Sequence, residues 1–284
     1  MFKTMDSFIA YVSPEEASAL TVEMRGDSLI KKLIKKSSQS IESFVVAREM
    51  EDLHKLRVAL KRIDVLLRIL DLKTKDFHFK ALKKGFKEIF SLAGKIWSAY
   101  QMQINLQESP FAETLRIAID DLRSSMKNES AKFSVHAENY LDELSREKKK
   151  LEKFSDELTP DAIREYFVLL IQKLNFTKEP DDFAHMHLLR KEVKRMMYAH
   201  DFLKMIRAEL ILSENEMIQF DVLQEAIGKW HDREAMHDFL THHTNIPEIY
   251  LSALEEQLKQ EMKKLYHDVK SRIDSLISRL GLYD

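Results

Sequence analysis

A chain of 284 residues, 44% of them hydrophobic, has material for a sizeable core, and a formal net charge of −2 excludes a uniformly basic nucleic-acid protein. The absence of cysteine excludes disulfides, thiolate metal ligands and a cysteine nucleophile; it fits a reducing compartment, so a cytoplasmic location is expected. Five glycines and five prolines leave few places for turns, which favours long helices over many short strands.

At the N-terminus, MFKTMDSFIAYV holds no apolar run of signal-peptide length, and the longest apolar stretch, YFVLLI at 166–171, is too short to span a bilayer. Apolar residues recurring at a period near 3.6 predict helices over 14–38, 40–71, 76–106 and 110–153. Past the break SDELTP at 155–160, the same period predicts helices over 159–174, 181–208, 213–243 and 247–280. Start signals agree: Pro14, Pro110 and Pro160 follow Ser13, Ser109 and Thr159, the order in which a capping side chain precedes a residue whose missing N–H costs nothing. Ser13 with Glu16 fits a capping box, and Pro180 and Pro247 also precede amphipathic runs. Four helices and then four more predict an all-α fold of two pseudo-symmetric antiparallel four-helix bundles. The first would occupy residues 1–156, with an N-terminal extension at 1–38, and the second residues 157–284.

The second predicted helix contains HKLRVALKR at 54–62, and the sixth contains HLLRKEVKR at 187–195. At about 100° per residue, Arg57, Lys61 and Arg68 fall within roughly 60° of His54, while Leu53, Leu56, Leu60, Ile63, Leu67 and Leu70 cover another arc. His187, Arg190 and Lys194 align likewise, flanked by Lys191 and Tyr198, with Leu189, Val193, Met196 and Leu203 on the apolar side. A helix chosen for stability alone would alternate charges, since like charges one turn apart repel. Two stripes of one sign therefore point to a polyanion, for which arginine forks, lysine point charges and a histidine donor are suited. Local charge agrees: residues 31–95 carry 17 Lys and Arg against 8 Asp and Glu.

The halves match further. Gly94 lies 40 residues after His54 and Gly228 lies 41 after His187; Trp97 and Trp230 follow, and then the proline-started helices. This is an internal repeat of about 130 residues. Glycine inside a helix costs about 1 kcal/mol relative to alanine, so its recurrence implies a close approach, with helix packing favoured over a ligand.

These segments, together with LQEAIGKWHD at 223–232, resemble the CHAD family, the conserved-histidine α-helical domain, over about residues 40–280. The second half carries the more specific match: His187, Arg190, Lys191, Lys194, Arg195 and Tyr198, then Asp201, Gly228 and Asp232. The resemblance implies a pair of helical bundles with a basic channel between them that binds inorganic polyphosphate, together with association with polyphosphate granules and their proteins. It implies binding roles for His54, Arg57, Lys61, Arg62 and Arg68 in the first repeat and for the six motif residues, His187 to Tyr198, in the second. The chain departs from the family pattern at Met197, His231, Trp97 and Ser98, where Arg, Asn and an Arg-Asp pair are usual. No strand signature of the triphosphate-tunnel domain often fused to CHAD occurs.

Other chemistry is not indicated. The histidine pairs in HMH at 185–187 and THHT at 241–244 have spacings that do not converge on one ion, so neither a metal nor another cofactor is expected. Glu192, Asp201 and Asp232 read as partners of basic residues and not as catalytic acids, so no enzyme activity is expected. Gly-rich phosphate loops are absent, RGDS at 25–28 is a chance match, and KKLIKK at 31–36 reads as a solvated face. Stacking aromatics do not interleave with the basic stripe, which disfavours nucleic acid. Two readings remain: a polyphosphate-binding module, or a helical scaffold whose anion site has degenerated.

Overall fold

The computed structural model describes residues 26–75, 77–175, 183–242 and 248–280, and among them are nine α-helices and no strand. The helices are α1 (Gly26–Ala47), α2 (Met50–Lys73), α3 (Phe79–Gln107), α4 (Arg116–Val135), α5 (Ala137–Leu151), α6 (Pro160–Asn175), α7 (Phe183–Met205), α8 (Glu214–His242) and α9 (Glu248–Leu280). A 3-10 turn, Glu152–Glu157, joins α5 to α6. No helix among the described residues is long and apolar enough to cross a membrane.

Two predicted boundaries shift, for identifiable reasons. The serine-rich segment SSQS at 37–40 suggests a break between the first two helices, yet α1 runs through it to Ala47. Ser37 and Ser40 are buried, and the Ser37 hydroxyl donates to the Leu33 carbonyl one turn back at 3.0 Å, so the serines act as small residues on a packed face. The actual stop is Arg48, whose φ of 59° is left-handed and whose N–H donates to the Phe44 carbonyl at 2.9 Å, a helix end usually given to glycine. Arg207, with φ of 55°, ends α7 in the same conformation.

The single helix predicted over 110–153 is two. Pro110 opens a turn, in which the Phe111 N–H donates to the Ser109 hydroxyl at 3.2 Å, and α4 begins only at Arg116. The chain then breaks at His136 without glycine or proline. Packing on either side explains the break: Phe133 meets Phe44 of α1 edge-on at 5.4 Å, and α5 lies against α1 and α3, whereas α4 lies along α3. Thr159 does cap α6, accepting from the Ala162 N–H at 3.2 Å. Ser213 and Glu216 form a capping box that the sequence reading overlooked. The proposed box at Ser13 and Glu16, and the starts at Pro14, Pro180 and Pro247, lie outside the described residues.

Consecutive helices pack as neighbours in both halves: α1 on α2, α2 on α3 and α3 on α4, then α6 on α7, α7 on α8 and α8 on α9. The halves meet where α2 lies against α6 and α7 and where α3 lies against α8. One apolar cluster runs from Leu29 of α1 to Leu276 of α9 and includes Phe44, Leu66, Phe167, Phe202 and Trp230. A second cluster joins Leu106, Leu115 and Ile119 of the first half to Met236, Leu240 and Leu258 of the second. Each fully buried leucine or phenylalanine contributes about 1.5–3 kcal/mol, so both clusters hold the halves together. Ion pairs add to the seam: Arg62 Nη2 lies 2.6 Å from Asp201 Oδ2, and Lys73 pairs with Glu165.

Candidate functional site

The α2–α7 contact opens into a cavity of about 600 Å³, walled also by α3 and by His231 of α8. Its position follows from patterning. The apolar arc of α2 is sunk in the core at Leu53, Leu56, Leu60, Ile63, Leu67 and Leu70, so the basic stripe is left at the edge of the interface. On α7, Leu189, Val193, Met196 and Leu203 do the same for its basic residues.

Arg57, Lys61 and Arg68 line the cavity from α2, and His187, Arg190, Lys191, Lys194, Arg195 and Tyr198 line it from α7. His54 and Arg62, included in the sequence-derived set, stand elsewhere. His54 packs its ring on Trp97 at 4.7 Å, and Arg62, about 140° around the helix from Arg57, is taken up by Asp201 and by the Tyr198 ring at 5.5 Å. Conversely, α3 supplies Lys83, Lys87, Phe86 and Phe90, which the sequence reading did not single out. Their signal was available: the four fall at the i, i+3, i+4 and i+7 spacing that marks one face of a helix.

The cations divide into two groups. Arg68 and Lys83 each lie 2.8 Å from Asp64, the carboxylate of the lining, and Arg195 lies 4.0 Å from it and 2.6 Å from Glu192. By contrast, Arg57, Lys61, Lys87, Arg190, Lys191 and Lys194 have no carboxylate within 4.0 Å among the described residues, and Arg57, Lys61, Arg190 and Lys194 of these stand close enough to act on one another's charge. Burial, and then the charges of Lys194, Arg57 and Arg190, bring the Lys61 ammonium down to about 7. Burial and Arg190 bring Lys194 down to about 8, against opposing pulls from Asp232 and Asp221. Such like-charged crowding in a part-buried site is unfavourable.

Gly94 and Gly228 lie beside the two arginines. Arg57 Nη1 donates to the Gly94 carbonyl at 3.0 Å and its guanidinium lies over the Phe90 ring at 5.8 Å. A Cβ on Gly94 would meet Arg57 Nη1 at 3.8 Å, and one on Gly228 would meet Arg190 Nη2 at 4.0 Å. Both glycines thus face the arginines at ordinary van der Waals distance, and neither shows the close helix approach that the sequence suggested. Three residues beyond each glycine comes a ring for the motif histidine: Trp97 against His54, and His231 at 4.8 Å from His187. His187 Nε2 also lies 3.1 Å from Glu234, and burial, followed by neighbouring cations, lowers its pKa despite that carboxylate. Trp230 is a core residue, 2% exposed. No group of three or more metal-ligating side chains occurs among the described residues.

A second cavity, between α3 and α5, sets Glu88, Glu143 and Glu147 against Lys84, Arg146 and Lys150 and carries no excess charge. Of these two cavities, the α2–α7 cavity is the one with an excess of cations in its lining.

A model of the CHAD domain matches residues 29–241. The chain belongs to the CHAD family. The crystal structure of the CHAD domain from the plant Ricinus communis is similar over 91% of this chain and 95% of that one, with a TM-score of 0.68 and 16% sequence identity, a likeness of fold. No curated protein matches the sequence. In this CHAD protein, 9 of the 11 basic, histidine and tyrosine residues singled out in the sequence share a single cavity.

Proposed function

We propose that this CHAD protein binds inorganic polyphosphate, or a similar linear polyanion, in the α2–α7 cavity, without turning it over. The observation that carries the reading is the group of four cations, Arg57, Lys61, Arg190 and Lys194, gathered on one cavity with no carboxylate partner among the described residues. Cations crowded in a part-buried site without a carboxylate cost stability, so a fold that keeps them is matched to a ligand that supplies negative charge. A phosphate chain presents regularly spaced oxygens to forked arginines and to lysines alike. The lining carboxylate, Asp64, is engaged by Arg68 and Lys83.

Two repeats related by a pseudo-twofold axis, dividing near residue 156, account for the matching Arg57–Gly94 and Arg190–Gly228 pairs. The cellular setting that follows is the cytoplasm or a polyphosphate granule, with granule proteins as neighbours.

A calorimetric titration with polyphosphate, against single-stranded DNA as control, tests the reading. Binding to polyphosphate should weaken steeply with salt and be poorly competed by orthophosphate, because many contacts release counterions together. Failure to bind at low salt would favour the helical scaffold with a degenerate anion site.

A further inference from the structure

We infer that Asp64 sets which polyanions the cavity accepts, acting as a built-in anion that closes the Arg68–Lys83–Arg195 end to a bound chain. The inference rests on the polyphosphate reading and refines it. Arg57, Lys61, Asp64 and Arg68 follow one another along one face of α2, at spacings of four, three and four residues. From Arg57 to Arg68 this face spans about 16 Å at 1.5 Å per residue. At the Arg57 end, Lys61, Arg190 and Lys194 are unpaired among the described residues; at the Arg68 end, one carboxylate already receives charge from three elements. Arg68 of α2 and Lys83 of α3 each stand 2.8 Å from it, and Arg195 of α7 stands 4.0 Å away. Burial alone would raise the Asp64 pKa, but hydrogen bonds from Lys83 and Arg68 outweigh it and hold the carboxylate ionised. The side chain therefore persists as a negative charge on the path of any chain running along α2.

Two consequences follow for ligand choice. A short polyanion is accommodated at the Arg57 end and is little affected by Asp64. A long chain must either stop short of Asp64 or displace it from its three partners, so the residue lowers the preference for long chains over short ones. Lys83 and Lys87 provide an internal comparison, because both line the cavity from α3, one turn apart, and only Lys83 is held by Asp64.

The test titrates tripolyphosphate and long-chain polyphosphate, at one ionic strength, into the full-length wild type and the variants Asp64→Asn, Asp71→Asn, Lys83→Met and Lys87→Met. In Asp64→Asn, the ratio of long-chain to tripolyphosphate affinity should rise by about fivefold, the scale of one freed charge contact. Asp71→Asn makes the same change in net charge at an exposed position outside the cavity and should leave that ratio unchanged. Lys87→Met should lose more long-chain affinity than Lys83→Met. An unchanged ratio in Asp64→Asn, or an equal rise in Asp71→Asn, overturns the inference while leaving the polyphosphate reading intact. Should Asp64→Asn lose its helical circular dichroism, the two lysine variants decide, and an equal loss from both overturns it. If the wild type binds neither polyanion, the polyphosphate reading fails, and this inference with it.

Discussion

Arg57 and Arg190 occupy equivalent places, each beside a glycine of the next helix, and both line the cavity. Replacing both with glutamine should lower polyphosphate affinity far more than replacing Lys32 and Lys35, which are exposed on α1 where a charge contact is worth about 1 kcal/mol or less. Titrating both double variants at one ionic strength checks this; equal losses would mark the stripe as ordinary surface. Lys61 and Lys194 should make both stability and polyphosphate binding depend on pH. Folded, they titrate near 7 and 8, whereas an unburied lysine titrates near 10.5. Between those values the unfolded chain holds protons that the folded chain lacks, so these lysines favour folding increasingly as pH rises from about 7 to 10.5. Their penalty is complete below about 7. Lys61→Met should accordingly raise the melting temperature at pH 6 and weaken polyphosphate binding. A bound polyanion restores both ammonium groups, so binding should take up protons near pH 8 and weaken as pH rises through the two lysine values. Calorimetry in buffers of different ionisation enthalpy measures that uptake. His54 lies outside the cavity, and burial lowers the pKa of His187.

At the scale of helices, the connections carry the specific chemistry. Gly26 starts α1 directly beneath the 3-10 turn: a Cβ there would collide with the Ser155 carbonyl oxygen and lie 2.7 Å from the Leu158 side chain. Because one of these neighbours is backbone, Gly26→Ala should destabilise by about 1–3 kcal/mol, measured by chemical denaturation. Lys35→Ala, an exposed change on the same helix, should stay within about 0.5 kcal/mol. The break at His136 illustrates what local sequence cannot encode. Residues 110–153 have continuous helical periodicity and no breaker after Pro110, so a single helix is the natural reading. Across the break Phe133 packs on Phe44 of α1 and on Tyr140 at 5.3 Å, and the Tyr140 hydroxyl donates to Glu88 of α3.

For the whole molecule, the two apolar clusters each draw on both halves, so the halves should unfold together. Trp97 lies in the first half, against His54, and Trp230 in the second, in the core. Fluorescence transitions of the Trp97→Phe and Trp230→Phe variants should coincide with each other and with the loss of helical circular dichroism. Separate midpoints would show two independently stable bundles.

The 3.6-residue period, the scarcity of glycine and proline and the doubled His-Arg-Lys pattern determined the helical class, most helix positions and the residues of the basic stripes. These are properties of one helix at a time, set by which side of a cylinder carries apolar groups. Tertiary structure alone decided that Arg57, Lys61, Arg190 and Lys194 share one cavity, that α3 adds Lys83 and Lys87, and that His54 and Arg62 stay out. It also decided that Asp64 divides the cations into a paired and an unpaired group. Such assignments depend on which helix faces pack together and at what distance, and the strength of a charge contact depends on the burial that the same packing produces.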